Sequence, residues 1–445
     1  MRICFIPIDN RPVCYTLAKD TISLDKDIEL LVPPREFLGS LTKTADINRL
    51  IDWLREIPDC DSIILSLDTL AYGGLIPSRR GIEPLEKIKE RIEGLKQILL
   101  KKNSKIYAFS SIMRISNNNC NEEEKKYWAE YGKKIFEYSY NLHKYGQADS
   151  SKIPPEILND YLSTRKRNFE VNKIYLEWQK EGFFDTLIFS KDDCAQYGLN
   201  VKEALELENL GGQTKTGADE IPLTLLARAL NKNIKVFVKF TEPEFKDSIS
   251  NYEDVSIERS VIGQLELGGF KIADEESDAD IILIVNNFCK KQGELVMGWE
   301  TQPYKKIFVQ PEKPFAIADV RYANGADNDF VEDLMPKINK NFIGYAGWNT
   351  SANTLGSLLA EVKILYKAKH FDQDAFKKLQ MIRFLDDWAY QSNVRKNIEA
   401  PCGIKDMMKP YAERLSKIFG YTIDYSKIDY IYPWNRKFEI EIILP

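Results

Sequence analysis

The stretch SIILSLDTLAYGGLIPSRRGIEPLEKIKERIEGLKQILLKKNSKIYAFSS, residues 62–111, contains two apolar runs separated by a long amphipathic segment. Each run, SIILSLD (62–68) and KIYAFSS (105–111), has the length and the side chains of a buried strand. The segment between them, residues 84–102, places apolar side chains at helical spacing among charged ones. A strand, a helix and a second strand in this order predict a parallel βα unit, because parallel strands need a crossover between them.

The same alternation extends along most of the chain. Short apolar runs predict ten strands, at residues 3–8, 28–34, 62–68, 105–111, 184–190, 213–217, 234–240, 281–287, 315–320 and 341–346. We therefore expect an α/β fold of parallel βα units. The first eight strands suit a TIM-barrel-like fold, which is our expectation, and all ten also suit the alternative of two doubly wound, Rossmann-like lobes.

The pattern also predicts how the chain is organised. Residues 1–355 are expected to form an α/β catalytic domain, and residues 356–445 a mostly helical C-terminal region that ends in the alternating strand-like FEIEIIL. Residues 116–180, roughly, interrupt the alternation and predict a helical insertion. An insertion that follows a strand's carboxyl end overhangs the ligand site of such a fold, so it can act as a cover.

Charge and hydropathy exclude several classes of function. The 445-residue chain has a formal net charge of −5 without a basic stripe, which argues against nucleic-acid binding. It has no apolar stretch long enough for a membrane span, and its first apolar run is too short for a signal peptide. We expect a cytoplasmic protein with a small-molecule substrate and no nucleic-acid or membrane partner; a homo-oligomer is compatible with the sequence.

The number and spacing of cysteine and histidine residues limit which kinds of catalytic or metal site the chain can form. The cysteines are scattered and form no CxxC pair, which fits a reducing cytoplasm and provides no zinc framework: Cys4, Cys14, Cys60, Cys120, Cys194, Cys289 and Cys402. His143 and His370 are the two histidines, and both lie in helix-like stretches. A Ser-His-Asp triad or a histidine-rich metal centre is therefore not expected, and the chemistry must rely on carboxylates, amides, Tyr, Lys or Arg.

Six of the apolar runs end in clusters of acids, amides, Arg or Gly. The clusters are Asp9-Asn10-Arg11, Asp68, Lys191-Asp192-Asp193, Gly217-Ala218-Asp219-Glu220, Asn286-Asn287 and Gly347-Trp348-Asn349-Thr350. The carboxyl ends of parallel strands are where α/β folds bind ligands, because the loops there converge on one crevice. The sequence therefore predicts an acid-lined site and favours an enzyme.

The predicted catalytic residues are Asp192, Asp193, Asp219 and Glu220. Adjacent carboxyl groups such as those of Asp192 and Asp193 push their pKa values apart, so that one stays protonated as an acid. The alternative is that these acids cap helices, and for Asp219 and Glu220 this alternative is equally well supported, because they precede the helical pattern IPLTLLARAL.

Substrate-binding roles are predicted for a second set of polar and aromatic residues: Asp9, Asn10, Arg11, Asp68, Tyr72, Tyr197, Asn324, Asp327, Trp348 and Asn349. Arg11 is a natural clamp for an anion. Trp348 beside Asn349 would offer a sugar an apolar platform and a hydrogen-bonding amide. The alternatives are ordinary turns at Asn324 and Asp327, and a Trp348 that packs in the core while Asn349 caps the next helix.

These segments resemble a known family. PIDNRPVCY, VPPREFLG, SLDTLAYGGLIPSR, SKDDCAQYG, TGADEIPLTLLARAL, RYANGADN and GWNTSANTLG together are similar, from residue 1 to about residue 358, to the bacterial family catalogued as domain of unknown function four-one-two-seven. The family pattern near the N-terminus is PLDDRP, and Asn10 replaces its second acid here. The resemblance supports the choice of these segments as the site and implies no activity.

We predict a hydrolase, specifically a glycoside hydrolase acting on a small polar glycoside, because this chemistry needs two carboxyl groups and neither histidine nor metal. Asp193 is the expected general acid, and Glu220 or Asp192 the base, nucleophile or substrate-orienting group. No cofactor is expected.

Two alternatives stay open. One is a Mg²⁺-assisted enzyme whose anionic substrate is held by Arg11, Arg35 and Arg79, with a metal on oxygen ligands from Asp9, Asp68, Asp193 and Asp219. The other is a two-lobed small-molecule binding protein.

Overall fold

The computed structural model describes residues 1–398 and 403–445, so Cys402 lies outside the described residues. The strands are β1 (Arg2–Ile6), β2 (Glu29–Leu31), β3 (Ser62–Ser66), β4 (Lys105–Ile112), β5 (Thr186–Lys191), β6 (Thr214–Thr216), β7 (Lys235–Phe240), β8 (Lys271–Ile272), β9 (Ile281–Asn286), β10 (Gly293–Glu294), β11 (Phe315–Asp319), β12 (Tyr322–Ala323), β13 (Phe342–Ala346), β14 (Asp429–Ile431) and β15 (Glu441–Ile443).

The helices between them are mostly those of a parallel α/β fold. They are α1 (Thr16–Ile22), α2 (Ile47–Glu56), α3 (Leu67–Tyr72), α4 (Leu75–Arg80), α5 (Leu85–Leu99), α6 (Trp128–Tyr145), α7 (Pro155–Lys180), α8 (Leu199–Asn209), α9 (Ile221–Ala229), α10 (Ile257–Leu267), α11 (Asn328–Leu334), α12 (Ser351–Leu365), α13 (Gln373–Arg383), a π-helix (Phe384–Val394) and α14 (Ile404–Phe419).

The chain divides into two compact units, and neither is a single continuous segment. The first unit consists of Met1–Tyr15, Glu29–Pro222 and Tyr252–Asp254. The second consists of Thr16–Ile28, Leu223–Asn251 and Val255–Pro445. The predicted boundary near residue 355 does not coincide with a boundary between these units.

The first unit contains a six-stranded sheet in the order β2-β1-β3-β4-β5-β6, with every pair parallel. Its central strands are apolar on both faces because helices cover both faces. All five residues of β3 are buried. Helix α5 turns Ile88, Ile92, Leu95 and Leu99 inward, at the three- and four-residue spacing of an amphipathic helix, and they join the core under the sheet.

Two long helices lie between β4 and β5, in the range where the sequence predicts a helical insertion. Helices α6 and α7 have a small core of their own, built around Trp128, Ile135 and Tyr161. Ser139 and His143 of α6 accept hydrogen bonds from the amides of Leu199 (2.7 Å) and Gly198 (3.0 Å). Because Gly198 has no side chain that could cap α8, the insertion caps that helix instead.

The second unit contains a five-stranded parallel sheet in the order β8-β7-β9-β11-β13. Strand β9 is buried along its whole length. The core beside the sheet is rich in aromatic rings, and Tyr345 stacks on Phe384 at the start of the π-helix with ring centroids 4.2 Å apart. At the C-terminal end, β14 and β15 pair antiparallel, as the alternating FEIEIIL predicts.

The predicted α/β class with parallel βα units is confirmed. The ten predicted strands correspond to β1–β7, β9, β11 and β13, and the short strands β8, β10, β12 and β14 were not predicted. Within residues 1–398 and 403–445 the strands form open sheets and no closed barrel. No helix in these residues has both the length and the apolar character needed to cross a membrane.

Candidate functional site

The order of the first sheet identifies where a ligand site belongs. Strand β1 lies between β2 and β3, so the direction in which successive strands are added reverses at β1. Ligands of open parallel sheets bind outside the carboxyl ends of the strands near such a reversal. The polar clusters at Asp9-Asn10-Arg11, Asp68, Asp192-Asp193 and Asp219-Glu220 all follow strands of this sheet, at that edge.

Arg114 and the paired acids face each other because of strand register. Ile112 of β4 pairs with Lys191 of β5, so the residues two positions further on leave the sheet side by side. Nη1 of Arg114 lies 3.3 Å from Oδ2 of Asp192 and 3.0 Å from Oδ2 of Asp193. Neither acid caps a helix, because the next helix begins at Leu199. The helix-cap alternative therefore does not hold for this pair.

Two further acids and a second arginine surround Arg114. Its Nε donates to Glu124 at 3.0 Å and its Nη2 to Glu123 at 2.9 Å. Arg79, from α4, is 1% exposed and donates from Nη1 to Glu124 at 3.1 Å. The two guanidinium groups thus hold four carboxyl groups in a compact network.

Asp193 combines an unusual titration with access to solvent. Burial, followed by the negative charge of Asp192, raises its pKa to about 7. Its side chain is nevertheless 35% exposed, against 19% for that of Asp192. Its backbone has φ of 43°, which is unusual for a residue with a side chain. A carboxyl group that is half protonated near neutral pH and reachable from solvent suits a proton donor.

A second ionic cluster joins the loops after β1 and β6. Nη1 and Nη2 of Arg11 lie 3.1 Å and 2.6 Å from the two carboxylate oxygens of Asp219, and Nε lies 2.9 Å from Asp9. All three side chains are almost fully buried. Arg11 is therefore clamped by acids of the chain itself, and the substrate-binding role predicted for Asp9 and Arg11 is not apparent in this arrangement.

Glu220 packs against the backbone at Gly217. The residue is fully buried, and a Cβ added at Gly217, whose φ is 102°, would lie 1.8 Å from Oε1 of Glu220. Glycine is required here by both the backbone conformation and the close approach. Glu220 is thus less accessible to a substrate than Asp192.

The remaining predicted residues of the first unit lie deeper or to the side. Asp68 is 1% exposed and accepts a 2.7 Å hydrogen bond from the amide of Ser111, and burial raises its pKa to about 7. Tyr72 is buried with the guanidinium of Arg167 over its ring. Tyr197 packs edge-on against Tyr140 and His143 of the insertion. The carbonyl of Asn10 accepts a hydrogen bond from Arg35.

The polar residues after the strands of the second sheet form a closed network around Arg321, which is 0% exposed. Its Nη2 donates to Glu242 at 3.0 Å and its Nε lies 3.2 Å from Asp327. Asp319, also 0% exposed, accepts hydrogen bonds from Asn286 (2.8 Å), the Asp327 amide (2.8 Å) and the Tyr345 hydroxyl (3.0 Å). Asp327 therefore has a packing role here.

Trp348 and Asn349 do not form the predicted sugar platform. Trp348 is 4% exposed and packs against Phe438, so neither face of its ring is open to a ligand. Asn349 adopts a φ of 75° and accepts from the amide of Thr350, and Thr350 rather than Asn349 caps α12. The Asn324 amide donates to the Asn349 carbonyl at 3.0 Å. The structure therefore agrees with the alternative prediction, in which Trp348 packs in the core.

The sequence predicted Asp192 and Asp193 and missed the residues that hold them. Arg114 follows β4 just as Asp193 follows β5, but the apolar run that predicts this strand ends at residue 111, before Arg114. Glu123 and Glu124 lie in a charged run with no pattern that points to the site. Lys191, at the end of β5, pairs with Asp254 at 2.5 Å, and the separation of 63 residues gives no sequence signal for that contact.

Within the described residues, no group of three His, Cys, Asp or Glu side chains is placed to hold a metal ion. The four carboxyl groups around Arg114 are bridged by its guanidinium group.

The fold defines a class: an α/β protein with parallel sheets, with an arginine-bridged carboxylate cluster at the carboxyl ends of the strands. The chain belongs to the family described as Protein of unknown function (DUF4127), which matches residues 3–443 and confirms the resemblance seen in the sequence. No match was found among curated proteins.

Proposed function

We propose that the protein is a hydrolase, specifically a glycoside hydrolase, in which Asp193 is the general acid and Asp192 the second carboxyl group. The observation that carries the proposal is the state of Asp193, whose pKa burial and the Asp192 charge raise to about 7 while its side chain remains partly accessible to solvent. Glycoside cleavage needs such an acid and a carboxylate beside it.

The spacing of the two acids favours a retaining reaction. The nearest oxygens of both acids lie within 3.3 Å of one Arg114 nitrogen, so the two carboxyl groups are neighbours, as they are in retaining enzymes. Asp192 attacks the anomeric carbon, and the glycosidic oxygen leaves with the proton of Asp193. Asp193 then removes a proton from water, which attacks the same carbon and releases Asp192.

Arg114 is a positioning residue in this scheme. Its hydrogen bonds to Asp192 and Asp193 come from one nitrogen, while Glu123 and Glu124 fix the other side of the guanidinium. Arg114 therefore holds both carboxyl groups of the proposed reaction at one nitrogen. Glu220, fully buried against Gly217, is the weaker choice for the second carboxyl group.

We also propose that the two sheets are doubly wound, Rossmann-like lobes and that the protein is cytoplasmic. The strand orders β2-β1-β3-β4-β5 and β8-β7-β9-β11-β13 follow one pattern, in which the second strand lies outside the first and the others follow on the opposite side. Free thiols at Cys4, Cys14, Cys60, Cys120, Cys194 and Cys289 support a reducing compartment.

The test is a panel of chromogenic aryl glycosides, including N-acetylhexosaminides, assayed with and without EDTA. We expect turnover of at least one glycoside that EDTA does not change, with the product released in the anomeric form of the substrate when followed by NMR. Turnover that EDTA removes would favour a metal-assisted enzyme, and tight sugar binding without turnover a binding protein.

Matched variants then identify the second carboxyl group. Asp192→Asn should abolish turnover and Glu220→Gln should retain most of it in the protein that remains folded. Rescue of an Asp192→Gly variant by azide, which replaces a missing nucleophile, would support the assigned role. The opposite ranking of the two variants would assign the second carboxyl role to Glu220.

A further inference from the structure

Arg79 has an incomplete set of hydrogen bonds in a buried position. The residue is 1% exposed, and its Nη1 donates to Glu124 at 3.1 Å. Its Nε and Nη2 have no hydrogen-bond partner among the described residues, although both are shielded from bulk solvent. A buried charged group with unmade hydrogen bonds is strongly destabilising, so proteins rarely leave one without a purpose.

The two unpaired nitrogens form one edge of the guanidinium. Nε–H and the adjacent N–H of Nη2 point in the same direction, and this edge matches two oxygens of a carboxylate, sulfate or phosphate group. Nη1, on the other side, lies 3.9 Å from Oδ2 of Asp192. The open edge therefore belongs to an arginine that borders the carboxyl pair of the proposed reaction.

Glu123 lies between this edge of Arg79 and the solvent-exposed surface. Its Oε2 lies 3.8 Å from Nη2 of Arg79, too far for a hydrogen bond, and is instead bonded to Arg114 at 2.9 Å. The Glu123 side chain is 21% exposed. An anionic group that enters from solvent can displace Glu123 toward water and take the place beside Arg79.

The local charge balance permits this exchange. Arg80, next to Arg79, donates to the main-chain carbonyls of Glu124, Leu41 and Asn121 rather than to a carboxylate. When Asp193 is protonated, Arg79, Arg80 and Arg114 balance the charges of Glu123, Glu124 and Asp192. An incoming anion that replaces Glu123 keeps that balance.

We propose that the substrate carries an anionic group, a carboxylate, sulfate or phosphate, which binds side-on to Nε and Nη2 of Arg79. This inference rests on the proposed function and narrows the substrate class from glycosides in general to acidic glycosides.

The first experiment compares matched substrates on the wild-type protein. The probes are 4-nitrophenyl glucosides and galactosides, as α and β anomers, each beside the uronide that differs only in a carboxylate at C6. We expect kcat/KM to favour a uronide by at least about ten-fold. Arg79→Lys, which keeps the charge and loses the side-on edge, should remove this preference, whereas the control Arg91→Lys, whose residue pairs with Glu83, should keep it.

Turnover of the neutral glycosides without any preference for uronides would overturn the inference and leave the proposed hydrolase intact. If no glycoside is turned over, calorimetric titration with glucuronate, galacturonate, inorganic phosphate and sulfate decides independently of catalysis. Binding of one of these probes that Arg79→Lys weakens about ten-fold supports the site. If none of them binds, only water can satisfy the hydrogen bonds of Nε and Nη2 of Arg79, and the inference fails.

Glu123→Gln provides a second variant in case Arg79→Lys does not fold. It removes the competing carboxylate and leaves Arg79 unchanged, so the affinity for the anion that binds should rise several-fold. An unchanged or lower affinity contradicts the proposal.

Discussion

The first five strands of the six-stranded sheet have the same order as the strands of the five-stranded sheet, but the charged side chains at the carboxyl ends of the two sheets differ in their exposure to solvent. In the first unit, Arg114 is bonded to acids whose side chains reach solvent, with Asp193 35% exposed. In the second unit, Arg321 is 0% exposed and its neighbour Asp327 has a side-chain exposure of 4%. An arginine among acids at the end of a parallel sheet is therefore not sufficient to define an active site.

Exposure distinguishes the two clusters because chemistry on a substrate needs groups that a substrate can reach. Arg321 makes hydrogen bonds with Glu242, Asn286 and the Gln302 carbonyl, and these partners close the cluster. Such a network specifies the packing of loops after the strands. Removing one partner leaves a buried charge uncompensated, which is the costly case for a buried ion pair.

The same substitution, Asp to Asn, made once in the Arg114 cluster and once in the Arg321 cluster tests most directly whether the two clusters differ in function. Asp193→Asn should lower kcat/KM by about 10²- to 10⁴-fold, because the proposed proton donor is lost, while thermal unfolding changes little. Asp319→Asn should lower the melting temperature and leave the kcat/KM of the folded protein unchanged. Equal losses of activity in the two variants would show that exposure does not identify the catalytic cluster.

Loss of the buried arginine should produce the largest change in stability. Arg321→Met leaves Glu242 and Asp327 without their buried partner, so we expect the free energy of unfolding to fall by about 3–5 kcal/mol. Arg414→Met, which removes an exposed pair with Glu332, is the matched control and should cost at most about 1 kcal/mol. Urea denaturation measures both; similar values would contradict a supporting role for the Arg321 network.

The pH dependence of turnover reports on the exposed cluster. Burial and the charge of Asp192 raise the pKa of Asp193 to about 7, so the protonated acid predominates below that pH and is lost above it. We expect kcat/KM to fall by about ten-fold for each pH unit above this pKa. Glu123 also raises this pKa, so Glu123→Gln should move the descending limb to lower pH. A limb that does not move would assign the titration to another group.

The smallest expected effect concerns the helix cap supplied by the insertion. Ser139→Ala removes the acceptor of the Leu199 amide at the start of α8 and should cost about 1 kcal/mol of unfolding free energy. Ser163→Ala, on the exposed face of α7, serves as the control. A loss in Ser139→Ala no larger than in the control would mean that α8 does not depend on α6.

Most of the fold was accessible from the sequence because buried parallel strands are apolar on both faces. The runs at 62–68 and 281–287 predict β3 and β9 for this reason. Strand β8 was missed because it has two residues, both exposed. The assignment of separate chain segments to the two units was not predicted, because it depends on tertiary contacts, which produce no periodic pattern in the sequence.

The candidate site was accessible only in part. Acids that directly follow an apolar run, such as Asp192 and Asp193, are visible as strand ends. Arg79 is predicted only as an anion-binding residue of the metal-assisted alternative, and Arg114 is not predicted, since it lies beyond the predicted end of its strand. Burial, which separates Trp348 and Asp327 from the exposed acids, follows from packing and cannot be read from the local sequence.

The short return segment Tyr252–Asp254 has a consequence for synthesis on the ribosome. Asp254 binds Lys191 at 2.5 Å and Thr216 at 3.0 Å, and the Tyr252 carbonyl accepts from the Cys194 amide. A nascent chain that has emerged only as far as residue 222 holds all six strands of the first sheet, yet its almost buried lysine has no counter-ion. The segment Thr16–Ile28 is synthesised early but belongs to the second unit, so it packs only after that unit has been synthesised. Neither unit is therefore encoded by one continuous stretch of the gene, and neither can be expressed whole as a single fragment of the chain.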